Sequence, residues 1–194
     1  MSRPEQNLDR KFTYKDYLSW PEEEQWELIN GIPYNMTPAP STQHQKIVTS
    51  LIAQFYNALK DSPCQTFGAP FDVRLPEPEK NSEDIFTVVQ PDLAIICDRN
   101  KLDNLGCVGG PDLVVEVTSP STLGKDIKDK FYLYEKAGVN QYWIIYPEPK
   151  TVVVFKLGRE GKFGRPDIYC ETDIIQSEIA KSIQIDLAEI FQEY

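Results

Sequence analysis

Glu116 stands in the middle of the apolar run LVVEV. Its neighbours on both sides are aliphatic, so the run reads as a central strand with the carboxylate inside it. An ionised carboxylate there is costly unless it is paired, hydrogen-bonded or bound to a metal. Asp92 follows Pro91 at the start of a second such run, PDLAIIC. Asp at a strand mouth is also a common turn cap, which is the plainer explanation. If the two strands are neighbours, their carboxylates converge. Two unit charges about 4 Å apart repel by roughly 4 kcal/mol at an effective dielectric near 20. Either one takes a proton or a cation lies between them. Mg2+ suits that place, because it favours a few carboxylates together with water and phosphate oxygens.

Three further residues break the local pattern. Between Thr122 and Gly138 the chain reads as a helix. At 100° per residue, Leu123, Ile127, Phe131, Tyr134 and Gly138 fall in one arc about 80° wide. Lys130 lies beside Leu123, so its stem points toward the sheet, whereas Lys125, Lys128 and Lys136 fall at the edge of that face or outside it. An inward Lys can simply snorkel. It can also hold a water or a phosphate oxygen beside a strand carboxylate. Glu27, in the strand WELI, is either an ordinary exposed strand residue or a further metal or water ligand. His44 shares the inner face of the next helix with Ile47 and Val48, near its N-terminus, where the dipole disfavours imidazolium. It reads as a satisfied core histidine or as a residue near a phosphate. As the chain's single histidine, it excludes a zinc site built on several.

The elements that must position these residues are legible in outline. EQWELI (24–29) alternates as a strand, Asn30-Gly31 is a hairpin signal, and IPYNM continues as the partner. Ser41 is a good N-cap for a helix in which Ile47, Val48, Leu51, Ile52, Phe55, Tyr56 and Leu59 recur at three- and four-residue spacing. PFDVRL (70–75) reads as a strand and 77–84 as a solvated loop. PDLAIIC and DLVVEVT read as buried strands, with a glycine-bearing loop between them. VNQYWIIY and TVVVFKL pair through the turn at Pro147–Lys150. Strand pieces near 167–171 and 182–185 and a short helix from Asp186 close the chain. The pattern implies one α/β or α+β domain over residues 1–194: a polar lead-in (1–21), a core near 24–158 built on one sheet with helices packed on it, and C-terminal strands with a short helix (159–194).

Composition narrows the class. Hydrophobic residues make up 41% of 194 residues and aromatics 11%, too much for a disordered chain. No apolar run reaches the length of a membrane span, and the polar start MSRPEQNLDR is unlike a signal peptide. The four cysteines form no CxxC pair, so a zinc knuckle or a disulfide framework is not expected. Free thiols in a reducing cytoplasm are the expectation. There is no GxGxxG, Walker or HExxH motif, and Ser119-Pro120-Ser121 is not a nucleophile elbow.

Taken in order, WELINGIPYNM, STQHQKI, VVQPDLAIICD, PDLVVEVTSPST and DIKDKFYLYEKAGVNQYWIIYP resemble the Uma-two family of restriction-endonuclease-like proteins, within the PD-(D/E)XK nuclease superfamily. The resemblance runs from about Trp26 to Pro147. It implies a central mixed sheet flanked by helices, with an N-terminal β-hairpin. It also implies a metal-dependent DNA endonuclease. Asp92 and Glu116 would ligate Mg2+, with Mn2+ able to substitute, and the Val117 carbonyl would be a third ligand. In the common ExK form the lysine stands two residues after the Glu. Here that residue is Thr118, and the family pattern moves the lysine to Lys130, the residue that the helical arc singles out. Glu27 corresponds to an acidic residue from an early element and leaves room for a second metal. Gln90 and His44 fall in family-like motifs and, with Thr118, would line the site. Restriction-like enzymes often cut as dimers, so the resemblance implies a homodimer.

The rival reading is a nuclease-fold module that binds nucleic acid or protein without cutting. The Thr118 departure and a net charge of −10 favour it. The charge is unevenly spread, however. Residues 91–158 hold 8 basic and 9 acidic side chains, so the stretch with the proposed site is nearly neutral. A phosphate-backbone substrate is therefore compatible with the composition, with binding that is local and metal-dependent.

Overall fold

The computed structural model describes residues 10–21, 24–36, 40–77, 84–119, 124–180 and 182–192, without the side chains of Lys125 and Asp126. The lead-in before residue 10, most of the acidic loop at 78–83, and positions 120–123, with Leu123 of the expected helix face, lie outside the described residues.

The first elements form for local reasons. Helix α1 (Tyr14–Tyr17) is closed by a capping box in which Thr13 and Asp16 satisfy each other's main-chain N–H. Strands β1 (Trp26–Ile29) and β2 (Ile32–Asn35) make the expected hairpin. Its turn residues Asn30 and Gly31 have φ of 52° and 84°, the positive pair that a two-residue hairpin turn demands. Helix α2 (Thr42–Leu59) starts at Ser41, whose hydroxyl accepts the His44 N–H. Strands β3 (Gln65–Gly68), β4 (Val73–Arg74), β5 (Val88–Val89) and β6 (Leu93–Ile96) follow. Next come β7 (Leu102–Asp103), β8 (Gly106–Val108) and β9 (Leu113–Val117). A π-turn over Lys125–Lys130 leads into helix α3 (Phe131–Lys136). Strands β10 (Gln141–Tyr146), β11 (Thr151–Lys156), β12 (Asp167–Cys170), β13 (Ile174–Gln176) and β14 (Gln184–Asp186) precede the final helix α4 (Leu187–Ile190).

The strands assemble into two six-stranded sheets and a small ribbon. The central sheet has the order β12-β11-β10-β9-β6-β3 and is mixed, with β9 and β10 parallel and its other neighbours antiparallel. The second sheet, β2-β1-β5-β4-β8-β7, contains the N-terminal hairpin. β13 and β14 pair with each other. The single sheet expected from sequence is thus corrected to two. Strands β4, β5, β7 and β8 span two or three residues each, too short to leave a periodic signal. The expected strand at 70–75 is likewise reduced to Val73–Arg74.

Alternation along β9 and β6 sorts the core into layers. Leu93, Ile95, Leu113, Val115 and Val117 face α2 and α4, where Leu51, Phe55 and Trp143 are fully buried. Ala94, Ile96 and Val114 face the other way, against Tyr134 of α3 and Ile29, Val73 and Val89 of the second sheet. Phe12, Tyr14 and Trp20 cover the far side of that sheet over Leu28 and Val88. Tyr56, expected on the inner face of α2, is exposed. Among the described residues no helix is long and apolar enough to cross a membrane.

The cysteine expectation is corrected in part. Cys64 and Cys97 form a disulfide. They flank the register pair Gln65–Ile96 of β3 and β6, which sets them opposite each other across the strands. Strand β3 was not apparent in the sequence, so neither was the pairing. Cys107 and Cys170 are free thiols.

The Phe55 ring packs against Trp143 with centroids 5.5 Å apart, at the centre of the layer under α2. Phe55→Ala should lower unfolding stability by about 3–5 kcal/mol. Urea titration should show an earlier midpoint with an unchanged slope.

Candidate functional site

Glu116 lies between Val115 and Val117 and shares its parity with Val114, so its side chain faces α3 and the second sheet. Glu27 shares its parity with Ile29 on β1 and faces back toward the central sheet. Lys130 enters between them at the junction of the π-turn and α3. Its Nζ lies 2.7 Å from Glu116 Oε1 and 2.9 Å from Glu27 Oε1. The three side chains are only 4%, 5% and 1% exposed for Lys130, Glu116 and Glu27, so they form a buried ionic triad at the seam of the two sheets.

Local geometry explains how Lys130 arrives there. The wider π-turn shifts the phase of side chains relative to an α-helix. Ile127, placed on the inner arc by α-helical spacing, is accordingly exposed. From Lys130 onward the α spacing holds, and Lys130 and Tyr134, four residues apart, share a face. The Tyr134 hydroxyl donates to Glu116 Oε1 at 2.8 Å. Burial first, and the Glu116 charge second, push this phenol well above its ordinary range, so it stays a donor. Tyr134 belongs to the site although sequence reasoning placed it only on the helix face. Its spacing from Lys130 was the available signal.

Gln90 contributes through its backbone. Its N–H donates to Glu27 Oε1 at 3.0 Å, while its side-chain amide turns away to Tyr17 and Asp72. The Thr118 hydroxyl donates to the Ile145 carbonyl and fastens the end of β9 to β10.

Asp92 forms a second group. The register Leu93↔Val115, continued by one residue, sets Asp92 opposite Glu116. Its Oδ2 accepts the Val117 N–H at 2.8 Å and lies 3.2 Å from His44 Nε2 at the start of α2. Both contacts fall on Oδ2, and Oδ1 carries none among the described residues. The structure thus joins Glu27, Glu116 and Lys130 directly. Separately, it joins Asp92, just before β6, to His44 of α2 and to the Val117 N–H of β9.

Mg2+ and Mn2+ take hard oxygen donors. The second oxygen of Asp92, the Glu116 carboxylate and the main-chain carbonyl of Val117 fit that chemistry. Asp92 and Glu116 stand at facing positions on neighbouring strands, and Val117 follows Glu116 on β9. Among the described residues no three Asp, Glu, His or Cys side chains are gathered into a cluster that could hold a metal.

Residues 14–188 match the Uma2 family, described as "Putative restriction endonuclease". The chain belongs to this Uma-two family. A curated relative, the uncharacterised protein slr1290 of Synechocystis sp., is 30% identical over 126 residues, which are 64% of this chain and 62% of the relative. The match therefore spans about three-fifths of that relative's length. The crystal structure titled "a putative nuclease belonging to DUF820", from Anabaena variabilis, superposes with a TM-score of 0.73 at 17% identity. It covers 93% of this chain and 97% of its own. This Uma-two chain therefore has the restriction-endonuclease-like fold.

Removing the cation from the triad would leave two buried carboxylates facing each other. Lys130→Met should therefore cost about 3–5 kcal/mol of stability. Adding Glu27→Gln removes one of the two charges, so the double variant should be more stable than Lys130→Met alone. Chemical denaturation of the single and double variants gives both values.

Proposed function

We propose that this Uma-two protein is a divalent-metal-dependent DNA endonuclease that hydrolyses phosphodiester bonds. The observation that carries the reading is the direct contact of Lys130 with Glu116, on the strand position that faces Asp92. Two strand carboxylates can hold the cation that phosphodiester hydrolysis needs, and the buried ammonium beside them can stabilise the charge it develops. Family membership and the fold support the same class.

Asp92, Glu116 and the Val117 carbonyl would hold Mg2+, with Mn2+ able to replace it. When bound, the cation would supply a nucleophilic water of lowered pKa and neutralise charge on the phosphate. Lys130 would orient that water and stabilise the charge that develops on the phosphate oxygens. Tyr134 holds Glu116 in its rotamer, and the Val117 N–H together with His44 does the same for Asp92. Gln90 and Thr118 shape the wall of the site by fixing Glu27 and the end of β9. The substrate would be DNA, bound locally through its backbone, and a homodimer would account for cutting of both strands.

A binding module that does not cut is the second reading. It is favoured by the occupation of Glu116 Oε1 by both Lys130 and Tyr134. A plasmid assay separates the two. The purified protein should nick supercoiled DNA with Mg2+ or Mn2+ and stop in EDTA. Glu116→Gln and Asp92→Asn should abolish nicking and stay folded: Lys130 keeps Glu27 as a partner in the first, and the amide oxygen that replaces the carboxylate can still accept the Val117 N–H in the second. Nicking that survives in both variants would overturn the assignment. Salt-sensitive retention of DNA without nicking would favour the module.

A further inference from the structure

Sequence resemblance offers Glu27 as a further metal ligand. The geometry points elsewhere. Glu27 Oε1 receives two donors, the Lys130 ammonium at 2.9 Å and the Gln90 main-chain N–H at 3.0 Å. The side chain is 1% exposed and comes from the second sheet, whereas Asp92 and Glu116 belong to the central one. Glu27, Glu116 and Asp92 do not form a three-carboxylate cluster among the described residues.

A second set of contacts lies behind Glu27. Asp72 Oδ1 accepts from Gln90 Nε2 at 2.8 Å and from the Tyr17 hydroxyl at 3.0 Å. Gln90 Nε2 also donates to the Tyr17 oxygen at 3.1 Å, closing a triangle. The Tyr14 hydroxyl donates to Asp72 Oδ2. Burial, with Asp72 as the next cause, pushes Tyr14 up to about 12 and Tyr17 further in the same direction. Both phenols therefore keep the protons with which they grip Asp72. The triangle fixes the Gln90 side chain and so the backbone N–H that points at Glu27.

From this we infer that Glu27 is a positioning residue that anchors the Lys130 ammonium beside Glu116, and that Asp72 and Tyr17 set Glu27 through Gln90. Its activity arm rests on the nuclease reading; its other arms do not. If Glu116 turns an oxygen to a cation, Lys130 keeps Glu27 as its fixed partner and stays at the site.

The test compares wild type, Glu27→Gln and Asp72→Asn in the full chain. Reductive methylation read by mass spectrometry reports on the Lys130 amine, with Lys101 as internal reference, since its ammonium is held elsewhere by the Gly110 carbonyl. Lys130 should methylate at least about tenfold faster in Glu27→Gln, and by a smaller factor in Asp72→Asn, with Lys101 unchanged. Equal acceleration of both lysines would indicate general loosening and overturn the inference. Calorimetric titration with Mn2+ alone should give affinities within about twofold of wild type for both variants. A loss of about tenfold or more in Glu27→Gln would make Glu27 a ligand and overturn it as well. With plasmid DNA, kcat should fall about a hundredfold in Glu27→Gln with KM little changed, and Glu27→Asp should restore part of it. If wild type cuts no DNA, the nuclease reading fails while the methylation and Mn2+ results still decide this one.

Discussion

The ammonium of Lys130 between Glu27 and Glu116 is the interaction on which the arrangement depends. The two carboxylates come from different sheets, and neither has water enough around it to be stable alone. One cation contacts both at distances below 3 Å and so ties the second sheet, the central sheet and α3 at one point. Such a pair gives little net stability compared with an apolar seam, but it fixes a geometry. What it fixes here is a lysine beside the strand carboxylate that faces Asp92.

The neighbouring contacts all serve that geometry. Tyr134 reinforces Glu116 from the same helix face as Lys130. The N-terminal segment reaches across the second sheet and, through Tyr17 and Asp72, holds the backbone at Gln90. The π-turn sets the phase at which Lys130 enters. On the central sheet, the Val117 N–H and His44 steady Asp92 by one oxygen and leave the other facing away from them. The site thus draws on two separated stretches of chain, the early hairpin with α2 and the run from β6 through β9 to α3.

Much of this was legible because the carboxylates and the lysine violate burial rules within strongly patterned elements. Glu116 inside LVVEV needed only strand periodicity, whereas α-helical spacing singles out Lys130 even though the π-turn, which that spacing does not contain, sets its phase. The Asn30-Gly31 turn and the Ser41 cap likewise follow from local chemistry. The second sheet did not show itself, because strands of two or three residues have no period to read. The Cys64–Cys97 pairing depended on one of the unseen strands. Glu27 reads as a ligand or an exposed residue, since nothing in WELI reveals that β1 faces another sheet. Asp72 and Tyr17 lie 55 residues apart and meet only through tertiary packing.

The central claim is that the facing strand positions of Asp92 and Glu116 are where the metal binds. Anomalous diffraction from crystals of the full chain soaked in Mn2+ tests it most directly. The account predicts one strong peak within coordination distance of Asp92, Glu116 and the Val117 carbonyl, with Lys130 still on Glu27. A peak at another place, or none at millimolar Mn2+, would contradict it.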